Sequence, residues 1–171
     1  MRFTQLDRII ELNKGESIKA TRSLALSEQY LEDHFPRFPV MPGVLMLEAA
    51  YQASMWLVRI SDEFRYSTIV MEQAKSIKFQ GFVQPGDTLT VNCTIKSRKE
   101  SLTNLKVQGT INGELALAGR LTLDSYNLFD RNLVQDPYLD ELCTSEFRDE
   151  FRSLCNQLDP NNPLKLALAS S

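Results

Sequence analysis

His34 is the only histidine in a chain of 171 residues, so any reaction that needs an imidazole must use it. It stands in the run Asp33-His34-Phe35-Pro36-Arg37-Phe38-Pro39-Val40-Met41-Pro42-Gly43, where the prolines restrict the backbone strongly. A stiff loop can hold an imidazole in one orientation, as a general base requires. Glu48 and Gln52 follow at i and i+4, which puts both on the same side of any helix that contains them. Desolvation disfavours the charged form of a carboxylate, so a Glu48 set in a dry interior would serve as a proton donor. Between them, Pro42-Gly43-Val44 reads as a helix start. Pro42 has no N–H to lose, and the amides of Gly43 and Val44 are free donors at the positive end of the helix dipole, suited to an oxyanion. Gly43, without a side chain, permits a carbonyl to approach the backbone closely. An imidazole, a carboxylic acid and amide donors together suit proton abstraction beside a carbonyl with departure of a β-substituent.

Each element also has a plainer reading: a surface histidine on an ordered turn, an exposed helix edge and an ordinary helix start. The remaining signals are weaker. No P-loop, GxGxxG, GxSxG or HExxH occurs. Asp87 after Gly86 reads as a turn cap, and Phe79, Phe82 and Trp56 read as core. Cys93, Cys143 and Cys155 are odd in number with no CxxC spacing, which supports reduced thiols and no zinc site. Lys96, Arg98 and Lys99 read as a charged turn able to receive an acidic carrier protein.

The elements that must position these groups follow from periodicity. Leu89, Val91, Cys93 and Ile95 alternate with polar residues, as do Leu105 to Ile111 and Leu115 to Leu123, with the hairpin signal Asn112-Gly113 between the last two. Residues 5–12, 17–26 and 67–79 are further strands. Residues 43–60 combine good helix formers with an apolar character on nearly every face, so this helix is expected to be wholly buried. Six antiparallel strands and one buried helix give an α+β fold, a sheet wrapped around a central helix. Residues 138–158 read as one or two amphipathic helices and residues 161–171 as extended or loosely ordered chain.

Composition limits the function classes. With 43% hydrophobic and 24% charged residues the chain can bury a sizeable core and is not of a disordered or collagenous type. Residues 1–124 carry 15 basic and 14 acidic side chains, residues 125–171 carry 4 and 8, and this balance argues against nucleic acid as a partner. The most apolar stretch, residues 44–60, contains Glu48, Gln52 and Arg59 and falls short of the roughly 20 apolar residues of a membrane span. The N-terminal residues do not form a secretory signal, so the expected location is cytoplasmic.

The stretch His34-Phe35-Pro36, Pro39, Met41-Pro42-Gly43-Val44-Leu45, Glu48-Ala49 and Gln52 resembles the signature of the β-hydroxyacyl-acyl-carrier-protein dehydratases of bacterial type II fatty acid synthesis. Val83-Gln84-Pro85-Gly86-Asp87-Thr88-Leu89 is similar to that family's second turn, and Leu6-Asp7-Arg8-Ile9-Ile10-Glu11-Leu12 to its first strand. The resemblance covers about residues 3–124, and it departs at Asp33 and Arg37, where the family commonly has glycine. It implies a hot-dog fold over residues 1–124 and a homodimer that can assemble as a trimer of dimers; residues 125–171 are additional to the family and read from their own pattern as a partly helical extension. It also implies removal of water from 3-hydroxyacyl thioesters carried on the phosphopantetheine of acyl carrier protein, with no metal or redox cofactor. By the same resemblance His34 takes the α-proton, Glu48 protonates the leaving hydroxyl, Gly43 and Val44 hold the thioester oxygen and Gln52 supports Glu48. Arg37, Lys96, Arg98 and Lys99 would meet the carrier protein or its phosphate. Two other readings share the fold: an acyl thioesterase working through a carboxylate and water, and a non-catalytic acyl-binding subunit.

Overall fold

In the computed structural model, which describes residues 3–155, alternation of apolar and polar residues becomes six strands: β1 (Arg8–Asn13), β2 (Ser17–Ser23), β3 (Thr68–Phe79), β4 (Thr88–Lys99), β5 (Leu102–Ile111) and β6 (Glu114–Tyr126). They form one antiparallel sheet in the order β1-β2-β4-β5-β6-β3. The turns are made where the sequence supplies positive φ: Gly15 between β1 and β2, Gly86 before β4, and Asn112 (φ 51°) with Gly113 (φ 88°) between β5 and β6. Register irregularities in β1, β3, β4 and β6 bend the strands, and such bulges give a sheet the curvature to close over a helix.

That helix, α1 (Gly43–Ser61), lies against β2 to β6. Ala49, Ala50 and Ala53 are fully buried on its inner face, and their small side chains let the helix approach the sheet closely. Met46, Trp56, Leu57 and Val58 fill the remaining space against Leu89, Val91, Cys93, Leu105, Val107, Leu117 and Leu121. Burying one such leucine contributes about 1.5–3 kcal/mol. Among the described residues the fold is therefore the expected α+β arrangement, a curved antiparallel sheet around a central helix.

Three local expectations are corrected. α1 is not wholly buried: Val44 is exposed, and Leu47, Glu48, Tyr51, Gln52 and Met55 are half-buried along one stripe, because the sheet covers only the inner face. The segment Lys96 to Lys99 is strand, not turn. Pairing continues through Arg98↔Thr103 and Lys99↔Leu102, and the reversal falls at Glu100, which has φ 55°. Of the aromatics read as core only Trp56 is buried; Phe79 and Phe82 are 49% and 66% exposed. Phe79 lies on the helix start and Phe82 packs edge-on against Phe38 with centroids 5.5 Å apart.

The C-terminal part is one helix in the described residues, α2 (Tyr138–Cys155), and residues 156–171, including the end read as loose chain, lie outside them. Its apolar stripe lands on α1. Phe151, Leu154 and Cys155 are buried in the same core as the sheet, with the Phe151 ring 5.7 Å from Trp56 and 5.9 Å from Phe64. Asp140 anchors the start of α2 by accepting the amides of Leu128 and Phe129, both at 2.9 Å.

Candidate active site

The proline-rich loop is folded onto itself before it enters α1. Phe35 and Phe38 exchange backbone hydrogen bonds at 3.2 and 2.9 Å, and the His34 carbonyl accepts the Val40 amide at 3.0 Å. The His34 amide in turn donates to the Tyr30 carbonyl at 3.0 Å, and the Met41 amide ties the loop to the Val83 carbonyl at 2.9 Å. The half-buried imidazole stacks on Phe35 and places Nδ1 3.0 Å from the carbonyl of Val40, a buried residue. A carbonyl only accepts, so Nδ1 carries the proton, and the neutral ring then keeps Nε2 as a base. The Val40 peptide thus grips both the backbone and the side chain of His34.

Glu48 is held from its own helix. Gln52 Nε2 donates to Glu48 Oε1 at 2.8 Å and to the Phe3 carbonyl at 2.9 Å, while Gln52 Oε1 accepts the Gln5 amide at 2.8 Å. With both amide hydrogens and its carbonyl used, Gln52 cannot turn without breaking contacts to the N-terminal segment. Glu48 is half-buried rather than enclosed in a dry core, and it lines a cavity of about 280 Å³ with Phe3, Thr4, Tyr51, Gln52, Met55, Trp56, Glu146, Phe147 and Glu150. Burial and the neighbouring Glu48 carboxylate both push the Tyr51 hydroxyl up from its ordinary value, and that hydroxyl donates to the Ile69 carbonyl at 2.8 Å.

At the helix start, Gly43 and Val44 hold the first two amides of α1, which have no acceptor within the helix. The space a Gly43 side chain would fill is not open to a ligand as expected, because a Cβ there would lie 3.1 Å from the Phe79 ring. Glycine lets the Phe79 side chain at the end of β3 lie close over the helix start.

The structure brings Glu48 and Gln52 together and sets Gly43 and Val44 at the head of the same helix. It does not bring His34 into the cavity that Glu48 lines. Arg37 is exposed two positions before Pro39. Lys96 and Lys99 are exposed on β4, and Arg98 is occupied by Asp62 (2.6 Å) and Thr103 (3.3 Å). Two groups escaped the reading of side-chain types: the Val40 carbonyl, a backbone group, and Glu146, Phe147 and Glu150 of α2, whose place beside Glu48 exists only in the tertiary structure. Arg59 is a third. It is 1% exposed, donates to the Tyr66 carbonyl at 2.8 Å and lies 3.8 Å over the Phe147 ring; burial pulls it down to about 10.

Comparison with known proteins adds the decisive observation, a match of residues 1–120 to the FabA-like domain. The chain belongs to the FabA-like family. Within the family, it is 37% identical over 116 residues to the 3-hydroxyacyl-[acyl-carrier-protein] dehydratase FabZ of Oenococcus oeni, covering 68% of this chain and 84% of that protein. It is 37% identical over 123 residues to FabZ of Lawsonia intracellularis, covering 70% and 80%, and 32% identical over 117 residues to FabZ of Lactobacillus helveticus, covering 68% and 79%. Among solved structures it is similar to the dehydratase heterocomplex ApeI:P of Xenorhabdus doucetiae, with a TM-score of 0.62 at 15% identity over 78% of this chain and 90% of that one. It is also similar to smu.793 of Streptococcus mutans bound to acetyl CoA, with a TM-score of 0.57 at 19% identity over 73% and 91%. These structural likenesses bear on the fold, which is the hot-dog fold. The whole of α2, with the cavity wall that it supplies, lies beyond the stretch matched to the family.

Proposed function

We propose that this protein dehydrates 3-hydroxyacyl thioesters on acyl carrier protein to trans-2-enoyl thioesters, as a hydro-lyase of fatty acid or related lipid synthesis. The observation that carries the reading is the pair of pre-oriented groups, His34 on Val40 and Glu48 on Gln52, in a chain whose FabA-like relatives are named for that reaction. His34 Nε2 takes the proton from C2 of the substrate, and the electron pair of that C–H bond becomes the C2=C3 double bond. The C3–O bond breaks as Glu48 delivers its proton to the hydroxyl, so water leaves and no electrons are gained or lost. The amides of Gly43 and Val44 face the thioester oxygen, on which negative charge builds during proton abstraction. Such amide donors supply about 3–4 kcal/mol, and positioned acid and base groups roughly 10²–10⁴-fold in rate. His34 and Glu48 carry the proton transfers without metal or redox chemistry, and 4'-phosphopantetheine is part of the substrate.

The active unit in this reading is a homodimer, able to assemble further as a trimer of dimers. Among the described residues of one chain His34 does not line the cavity at Glu48, α1 leaves a half-buried stripe, and β3 is an edge strand with residues 72–76 exposed. A two-fold partner can cover that stripe and bring its own His34 to this Glu48. Residues 1–124 carry the reaction, and residues 125–171 are an extension whose helix α2 packs on α1 through Phe147 and Phe151. Arg37, beside His34, receives the phosphate or acidic surface of the carrier protein, with Lys96 and Lys99 as outlying contacts and Arg98 less available because of Asp62. An acyl-carrier substrate sets the reaction in the cytoplasm. Among the described residues no helix is long and apolar enough to cross a membrane.

The test is to incubate the purified chain with 3-hydroxybutyryl and longer 3-hydroxyacyl carrier proteins and follow the loss of water by mass spectrometry. Enoyl product in the wild type, and none in His34→Ala, is the expected result. Release of free carrier thiol without enoyl product would make the protein a thioesterase, and no turnover of any substrate would overturn the assignment.

A further inference from the structure

Lys75, Arg120 and Lys106 stand side by side on three neighbouring strands. The pairing Lys75↔Arg120 joins β3 to β6, and Lys106↔Arg120 joins β6 to β5. Residues directly opposite in an antiparallel pair share one face, with Cβ atoms about 4.5–5.5 Å apart. That face is the outer one, because Leu105, Val107 and Leu121, the chain neighbours of Lys106 and Arg120, are buried in the core with α1. All three cations are exposed. Like charges directly opposite on paired strands destabilise a sheet, yet this chain, with a net charge of −3, sets three cations in line.

No acid relieves them. Among the described residues none of the three side chains makes an ion pair or a hydrogen bond. Asp124, on the same face of β6, is held by Arg131 at 2.5 Å. The row borders a depression of about 600 Å³, whose lining also takes in Lys96, Gln73, Asn104 and Thr122 and holds no carboxylate; this is the size of a small-molecule site. A polar chain orders its floor: Thr122 Oγ1 donates to Asn104 Oδ1 at 2.8 Å, and Asn104 Nδ2 donates to Ser97 Oγ at 3.2 Å. The second amide hydrogen of Asn104 is left to a ligand. Cations and amide donors thus face one depression without a countercharge. A guanidinium offers two parallel N–H groups to phosphate oxygens, and lysine adds mobile positive charge. Two strand spacings, roughly 10 Å, separate Lys75 from Lys106, so the row suits a run of phosphates better than a single one.

We propose that the outer face of β3, β6 and β5 is a binding site for a small ligand that carries a chain of phosphates. The row points away from α1, and so from Glu48, which makes it a poor seat for a carrier protein that must deliver its substrate there; Lys96 alone is shared with the carrier contacts proposed above. A depression bordered by cations fits a small polyanion better than it fits a flat membrane surface. The site stands independently of the dehydratase reading.

The experiment titrates the full chain at low ionic strength with inorganic tripolyphosphate, ATP and orthophosphate, followed by calorimetry. Tripolyphosphate and ATP are expected to bind saturably, one per chain, far more tightly than orthophosphate, and added salt should weaken both. Equal affinities place the recognition in the phosphate chain alone, and tighter ATP adds a contact to the nucleoside; both support the site. Lys106→Gln with Arg120→Gln should raise Kd by about tenfold or more, while Lys14→Gln, a cation of the β1–β2 turn, should leave it unchanged. Both replaced residues are exposed, and removing the repulsion should let the double variant melt at or above the wild-type temperature, which checks its fold. Tripolyphosphate should raise the melting temperature of wild type and not of the double variant. The inference is overturned if neither polyphosphate binds, or if the folded double variant binds them as wild type does. It is also overturned if only acyl carrier protein, or only vesicles containing phosphatidylglycerol, loses affinity in the double variant.

Discussion

Gln52 donates a hydrogen bond to Glu48 at 2.8 Å while its carbonyl oxygen is held by the Gln5 amide at the same distance. The carboxylate proposed as proton donor is thereby tied, through one side chain, to the N-terminal segment. Replacing Gln52 by Leu keeps the size of the side chain and removes all three contacts. The expected outcome is a folded protein whose kcat falls by about 10- to 100-fold, the range for a catalytic group displaced by a fraction of an ångström to one ångström. KM should change much less, because the loss falls on the orientation of Glu48. Steady-state kinetics on a single acyl carrier substrate measure the split.

Gly43 and Phe79 give a second test. A methyl group at Gly43 would sit 3.1 Å from the Phe79 ring, and crowding of that kind costs about 1–3 kcal/mol when nothing can move. Phe79 is half-exposed and can yield, while alanine favours the helix over glycine by up to about 1 kcal/mol. The two effects oppose, so Gly43→Ala should melt close to wild type. Its kcat should still fall, because the ring and the first amides of α1 shift together. Adding Phe79→Leu should recover part of the lost rate, and thermal melts with kinetics on the three proteins check both points.

The docking of α2 should be measurable by fluorescence, since Trp56 is the only tryptophan and packs on both Phe147 and Phe151. Phe151 is completely buried, and Phe151→Ala should cost about 3–5 kcal/mol. Its emission should shift to the red before the sheet unfolds if α2 detaches first.

Acid should loosen the same helix. Burial alone would push Asp140 up, but hydrogen bonds from Ser67 and from the Phe129 and Leu128 amides outweigh it and hold the carboxyl below its ordinary value. A carboxyl lowered in the folded state stabilises that state above its unfolded value of about 3.9, and the contribution is lost as pH falls through the folded value. The Trp56 emission of the wild type should therefore begin to change below about pH 4. Asp140→Asn should weaken the anchor at neutral pH and flatten that change.

How much of this was legible in the sequence depended on where the signal lay. Strands such as Leu89-Val91-Cys93 and the Asn112-Gly113 hairpin were readable because one face is buried and period two records it. The outer end of β4 was not, because Lys96 to Lys99 are exposed on the strand and leave no apolar trace; backbone pairing with β5 decides their conformation. The motif from His34 to Gln52 pointed to acid–base chemistry, and the contact between Gln52 and Glu48 follows from helical spacing. The Val40 carbonyl that orients His34 could not be read from residue types, since every residue carries one. The open stripe of α1 and the wall formed by Glu146, Phe147 and Glu150 depend on which elements meet in space, and no local pattern encodes that.

The central claim is that His34 of one chain works with Glu48 of another. It is tested most directly by complementation. His34→Ala and Glu48→Gln, each inactive alone, are mixed in equal amounts under conditions that exchange subunits, and dehydration of a 3-hydroxyacyl carrier protein is measured. Random exchange makes half of the dimers mixed, and each mixed dimer holds one intact centre of two, so about a quarter of wild-type activity should return. If exchange is verified by mass spectrometry and no activity returns, His34 and Glu48 do not meet across a two-fold axis and the account is wrong.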